Sequence, residues 1–329
     1  MVVCRPAPFL DGHGEVRMKN KDWAAFWSLG LIWGSSFLWI KIAVQDVGPF
    51  TLVGWRLLIA LVGLGAVVLV RRPALPRDRR VLAMLALLGI TNTALPFVLI
   101  SWGEQSIDSA VASILNGTVP LFAMIIAHRS MAEERITASR LAGLLTGFLG
   151  VVILMAGNIG PGGFRTGGLG QVAVLAAAIL YAWSAVFARK NLHGLTPIVQ
   201  AFLPLIVADL FIWTGAVALE APDLVPTTSL TWLALVWLGL LGSCIAYLLY
   251  FYLLHSIGPT RAPMVTYVFP VVGLVLGVVF LQEQVDWSLI LGAALVVAGI
   301  LIVNGAATIR GWRRRPAEPV PATIEPGGE

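Results

Sequence analysis

The sequence is poor in charge. Of its 329 residues only 12% are Asp, Glu, Lys or Arg, where ordinary soluble domains carry about 25%. So few charges cannot cover the surface of a soluble fold of this length. Cysteine is scarce as well: Cys4 and Cys244 stand far apart and no CxxC occurs, which excludes a disulfide framework or a thiolate zinc site. The four histidines, His13, His128, His193 and His255, never approach the HExxH spacing, so no metal is expected. The Gly-rich stretch 162–170 follows no strand and has no Walker lysine, which removes a phosphate cradle and ATP as a driving force. No cofactor is expected. Strict alternation over ten-residue segments is missing too, and with it the outer-membrane β-barrel.

What the chain has is apolar length. Hydrophobic residues make up 58% of it, and the mean hydropathy is +0.88. A helix crossing a hydrocarbon core of ~30 Å needs ~20 mostly apolar residues. Ten stretches qualify, at 23–44, 49–70, 81–102, 106–127, 137–156, 168–189, 195–219, 230–254, 259–281 and 287–307. The polar ends 1–22 and 308–329 are expected to be cytoplasmic tails, the latter disordered, and 157–167 an outer linker. The first apolar run is of spanning length and reads as a retained anchor, not a cleaved signal. The class expected is an all-α polytopic membrane protein, with the lipid bilayer as its surroundings.

The cations orient it. Nineteen of the 22 Lys and Arg fall in the two tails and the even-numbered connections, Arg165 alone in an odd one, and Lys41 and Arg56 within helices. Positive residues stay cytoplasmic, so both termini are expected inside, in a bacterial cytoplasmic membrane. The net charge of +5 therefore reads as bilayer orientation, with no nucleic-acid partner. A shift of 150 residues, without gaps, pairs Trp33 with Trp183, Gly89 with Gly239, Pro120 with Pro270 and Glu133 with Glu283. Each copy holds five helices, an odd number, so the second enters upside down. Inverted repeats of this kind are typical of alternating-access transporters.

Trp33-Gly34-Ser35-Ser36-Phe37, Lys41, Pro49, Arg56, and the pairs Pro120/Glu133 and Pro270/Glu283 carry a resemblance to the EamA family of the drug/metabolite transporter superfamily. It covers roughly 23–307, as two EamA-like halves, 23–156 and 168–307. The resemblance implies ten helices in two inverted five-helix repeats and a non-enzymatic exporter of amino acids, other metabolites or drugs. It also implies importance for Lys41 and Arg56. The second copy departs from it, with Tyr181-Ala182-Trp183-Ser184-Ala185 where the first has its Gly-Ser-Ser stretch.

Four prolines fall within expected helices: Pro96, Pro120, Pro204 and Pro270. A mid-helix proline frees the carbonyl four residues earlier, here those of Asn92, Asn116, Gln200 and Thr266. Freed backbone at membrane depth faces protein or a water-lined cavity. A polar cavity bordered by Asn92, Asn116, Thr266 and Tyr267 is therefore expected, with the prolines as bends; hydrogen bonding between helices is the plainer alternative. Trp33, Ser36, Trp183 and Tyr247 lie deep enough to wall it. Lys41 and Arg56 either snorkel to headgroups, bind an anionic substrate group such as an amino-acid carboxylate, or form a gating pair. Asp209 reads as the only carboxylate well inside a span, a candidate for proton coupling or a partner of Arg56, while Glu104 falls in an outer connection. Glu133 and Glu283 are expected to cap the helices that follow them. The GxxxG pairs Gly30/Gly34, Gly143/Gly147 and Gly273/Gly277 are expected to pack helices. The partners expected are a small-molecule substrate and, as an option, a second copy in a homodimer. A nucleotide-sugar or sugar-phosphate exchanger shares the architecture, and a non-transporting receptor or scaffold is the other rival.

Overall fold

The computed structural model describes residues 19–130, 136–157, 167–192, 194–257 and 262–313, and every regular element among them is helical. The helices are α1 (Asn20–Ala43), α2 (Pro49–Arg71), α3 (Arg79–Gly89), α4 (Leu95–Glu104), α5 (Ser109–Asn116), α6 (Val119–Ser130), α7 (Ala138–Gly157), α8 (Gly168–Asn191), α9 (Pro197–Leu219), α10 (Ser229–Val236), α11 (Ala246–Ser256), α12 (Val268–Leu281) and α13 (Trp287–Arg313). Several join end to end. A π-helical turn, Ile90–Ala94, links α3 to α4, and a longer one, Trp237–Ile245, links α10 to α11. A 3-10 segment, Ala262–Tyr267, leads into α12.

Counted as continuous stretches, nine helices of 18 to 26 residues among the described residues are long and apolar enough to cross a membrane. The tenth expected span, 287–307, falls in α13, where Trp287–Ile302 is a shorter apolar stretch. Two boundaries need correction. Helix α1 starts at Asn20, inside the expected tail, and α13 runs to Arg313, past the expected end at 307. Hydropathy finds the apolar slab, whereas hydrogen bonding carries a helix on through the polar interface.

Local chemistry explains the element ends. Pro49 and Pro197 occupy the first position of α2 and α9, where a missing N–H costs nothing. Asp78 accepts from Arg80 N at 2.9 Å to start α3. Thr228 accepts from Thr231 N at 3.1 Å to start α10. The outward faces are apolar: Val62, Leu69, Val70 and Phe280 are each exposed by two-thirds or more. In water that would be an aggregation hazard; here it is the face a bilayer covers.

Packing pairs α7 with α13, α2 with α9, α4 with α8, and α1 and α5 with α12. The α7–α13 contact is backbone on backbone, since a Cβ on Gly299 would lie 2.5 Å from both Gly143 O and Gly147 N. The GxxxG pair Gly30/Gly34 likewise lies against Val268 and Val272 of α12. Small residues permit this approach, which dispersion and close packing favour in lipid. The main core runs through the middle of the bundle, from Phe37 and Leu52 to Leu154, Leu205 and Phe269.

Candidate functional site

The two π turns converge on one cation. Arg56 of α2 is buried, 5% exposed. Its Nε–H donates to Ser243 Oγ, in the second π turn, at 2.9 Å. Its guanidinium carbon stands 3.9 Å above the Phe97 ring, in α4 just past the first π turn. Tyr181, Tyr247 and, without an ion pair, Glu104 also act on it electrostatically, and Tyr247 bonds to Thr93 of the first π turn. Burying an ion costs several kcal/mol even after relaxation. A hydroxyl and an aromatic face offset part of that, yet Arg56 makes no ion pair with any described residue. It does not snorkel.

An aromatic wall lies beside it. Trp33 donates its indole N–H to Gly242 O, inside the second π turn, at 2.9 Å. Its ring packs on Tyr247, Tyr250 and Phe269 at centroid distances of 6.4, 5.5 and 5.9 Å. Trp237 donates to Ser35 Oγ at 3.1 Å and stacks near Trp39, while Ser36 bonds back to Ile32 O. Asn92 sits half-buried in the first π turn. Asn116 ends α5, buried, with Oδ1 unpartnered among the described residues. Thr266 and Tyr267 close the 3-10 segment, and Tyr267 packs on the main core. Trp183 instead stacks on Phe187 of its own helix, with centroids 4.9 Å apart.

Pro96 and Pro120 are second in α4 and α6, and Pro270 is third in α12, each just after a change of helix type. All three still lie within continuous spans, Arg79–Glu104, Ser109–Ser130 and Met264–Leu281. At Pro96 the ladder shifts into the π turn, where Leu95 N reaches back five residues to Ile90 O. Of the four, Pro204 alone lies inside an uninterrupted α-helix. The π turns themselves carry the polar groups at this depth, as such turns often do at functional sites.

A second polar assembly gathers at one end of the bundle, where residues 44–49, 104–109, 220–229 and 281–287 connect the helices. Lys41 Nζ donates to Glu104 O and Ile107 O, both at 2.7 Å, so its ammonium caps the C-terminal end of α4 and does not snorkel. Glu104 is fully buried, and neither carboxylate oxygen has a hydrogen-bond partner among the described residues. Glu283 accepts from Ser109 N at 2.7 Å and Ala110 N at 3.1 Å. It caps α5 rather than the helix that follows it, which Asp286 caps through Leu289 N at 2.7 Å. Glu220 likewise takes Phe50 N and Thr51 N of α2, at 2.9 and 2.7 Å. Lys41, Gln45, Asp108, Gln282, Glu283 and Gln284 border a cavity of about 430 Å³ here. Asp46 binds the Thr227 hydroxyl and the N–H groups of Thr227 and Thr228. Those bonds, the Thr227 hydroxyl foremost, pull its carboxyl down to about 2.

Asp209 is buried in α9 and pairs with Trp213, with Oδ1 left over, and not with Arg56. Glu133 lies outside the described residues. Asp209 lies well inside its span, whereas Glu104 ends its own, yet Glu104 is the more completely buried of the two. Glu104 was hard to see: it lies two residues past the expected helix end. The hint is the preceding Gly103, whose Cβ would lie 2.8 Å from Gly170 O, so α4 and α8 touch at the very turn that bears the carboxylate. Ser243 and Phe97, the direct partners of Arg56, gave no signal in the pattern at all.

Comparison with known proteins agrees with this architecture. The profile of the EamA-like transporter family matches residues 23–156 and 168–305. A probable terminal-alkyne amino-acid exporter of Streptantibioticus cattleyicolor is 30% identical, over 85% of this chain and 93% of its own. The uncharacterized inner membrane transporter YedA of Escherichia coli K12 is 29% identical, over 91% of this chain and 94% of its own. A solved crystal structure covering 88% of this chain and 99% of its own superposes with a TM-score of 0.64 at 21% identity, which shows the shared fold. With nine apolar spanning helices and a two-part profile match, the chain is a multi-pass integral membrane protein belonging to the EamA-like transporter family.

Proposed function

We propose that this protein exports small organic metabolites carrying a carboxylate, amino acids foremost, by alternating access. The observation that carries the reading is Arg56: a buried guanidinium without an ion pair among the described residues, set among Ser243, Phe97, Tyr181 and Tyr247 where two π turns meet. A substrate carboxylate is the natural counter-ion for such a group, and the Trp33–Tyr247–Phe269 wall suits an apolar side chain. The amino-acid exporter among the relatives supports the same class.

In this reading ten helices form two inverted halves, 23–156 and 168–307, with both termini cytoplasmic in a bacterial inner membrane. Trp33, Ser36, Asn92, Asn116, Thr266 and Tyr267 border the path. Lys41 closes its outer end, the half-buried Trp183 borders it from α8, and Pro204 provides the bend within α9. Transport runs on an ion gradient, with the proton as coupling ion. Two buried carboxyl groups can carry it, Asp209 and Glu104. A sugar-phosphate exchanger would need a second free cation beside Arg56, and the Lys41 ammonium is taken up by two carbonyls.

The test is export. Bacteria stripped of their own amino-acid exporters are loaded with dipeptides, and the medium is followed with and without this protein. Expression should raise excretion of at least one amino acid. Arg56→Gln, at equal membrane abundance, should lower it by more than about tenfold, since losing a buried charge contact costs about 2–5 kcal/mol. Unchanged excretion across the panel would reject the reading.

A further inference from the structure

The Glu104 side chain takes part in none of the hydrogen bonds among the described residues. It is fully buried at the last position of α4, and both side-chain oxygens lack hydrogen-bond partners among the described residues. The neighbouring ammonium does not engage it: Lys41 Nζ binds the main-chain oxygens of Glu104 and Ile107. A carboxylate left thus, at the negative end of a helix, is unfavourable when ionised and stable when protonated.

Each element packed on α4 contributes differently to its charge. From α1 comes Lys41 and from α2 Arg56, both favouring the ionised form. From the loop after α12 comes Glu283, opposing it. The link to α5 holds Asp108, which lines the outer cavity beside Lys41 and Glu283. The near end of α8 has no titratable side chain and offers Gln171, buried, with both amide atoms unpartnered.

We propose that Glu104, rather than Asp209, is the group that binds and releases the coupling proton, with the cavity at Lys41, Asp108 and Glu283 as its route to the outer water. On release the carboxyl loses its proton to that water, and the Lys41 ammonium turns from the two carbonyls to the carboxylate formed. On rebinding Lys41 returns. The proposal rests on the export reading for its purpose, but the protonation it requires exists without substrate.

Infrared difference spectra of the purified protein in lipid bilayers, recorded while pH is raised, read protonated carboxyl groups directly through their C=O stretch and its shift in heavy water. Wild type should show such a band at neutral pH that fades as pH rises. Glu104→Gln should lack it and Asp209→Asn should keep it. Lys41→Met should move its loss to higher pH, because the cation that favours ionisation is gone. Should Glu104→Gln fail to fold, Glu104→Asp decides: the band must persist at a shifted frequency. The proposal is overturned if the band survives Glu104→Gln, if Glu104→Asp leaves its frequency unchanged, if Asp209→Asn alone removes it, or if sodium chloride at fixed pH abolishes it. Export of amino acids measured in parallel separates the two readings. A band at Glu104 without export rejects the transport reading alone, and export without the band rejects Glu104 alone.

Discussion

The two ends of the bundle are held by different chemistry. At one, carboxylates reach across and cap helices far away in sequence: Glu220 on α2, Glu283 on α5, and Asp46 on the segment leading into α10. At the other, where α3 begins and α8 ends, Leu85, Leu88, Leu192 and Val199 form a small apolar cluster. Among the described residues that end also carries a polar tie of Asp22 of α1 with Tyr252 and Ser256 of α11. Hydrogen-bonded ends hold only in one register, whereas apolar contacts of similar area tolerate sliding. In an alternating-access protein the first kind of end suits a latch and the second a sliding surface.

Three changes test this contrast. The largest effect is expected at the apolar end, where Leu85→Ala removes a side chain only 1% exposed. Such truncations cost about 2–5 kcal/mol, and thermal unfolding in detergent should fall equally at neutral and acid pH. Glu283→Ala comes next. It strips two charge-assisted bonds from the start of α5, each worth about 1.5–3 kcal/mol before solvent takes part of their place. Hydrogen exchange should quicken at Ser109 and Ala110 and stay unchanged around Leu85. The smallest effect is a pH dependence. The Asp46 carboxyl is held down near 2 from its ordinary 3.8, so its contribution is complete above the ordinary value and vanishes as pH falls through about 2. Exchange at Thr227 and Thr228 should therefore rise over that acid window in the wild type, and Asp46→Asn should remove the dependence. If Leu85→Ala were acid-sensitive, or Asp46→Asn left the acid response intact, the contrast between the ends would fail.

Much of this was legible in the chain, though not its joints. Apolar runs mark ten spans, nine of which the described residues show as helices of crossing length, because the bilayer imposes a length that composition must satisfy. The prolines stand beside changes of helix type at 90–96, 117–120 and 262–270, inside continuous spans. The i−4 rule assumes α-helix on both sides, whereas Pro96, Pro120 and Pro270 each fall in the first turn of a new α-helical segment. Arg56 and Lys41 stand out as lone cations among apolar residues. Their partners do not: Ser243 lies 187 positions from Arg56, and Glu104 O 63 from Lys41. Glu283 looked like a local cap since sequence displays only neighbours, while the helix it serves starts 174 residues earlier. Glu104 escaped because hydropathy ends the span before it, though tertiary packing of α8 carries burial further.

The long-range caps also impose an order in time. Phe50 and Thr51 receive their acceptor from a residue about 170 positions later, and Ser109 and Ala110 theirs from 174 and 173 later. At a synthesis rate of about 5–20 residues per second, that is a wait of roughly 10–30 s. The earlier helices enter the membrane with bare amide ends at its surface, satisfied by water or headgroups until the later chain arrives. The last ribosomal product thus finishes the first, and a nascent chain stalled before Glu220 would keep both ends open to quality control.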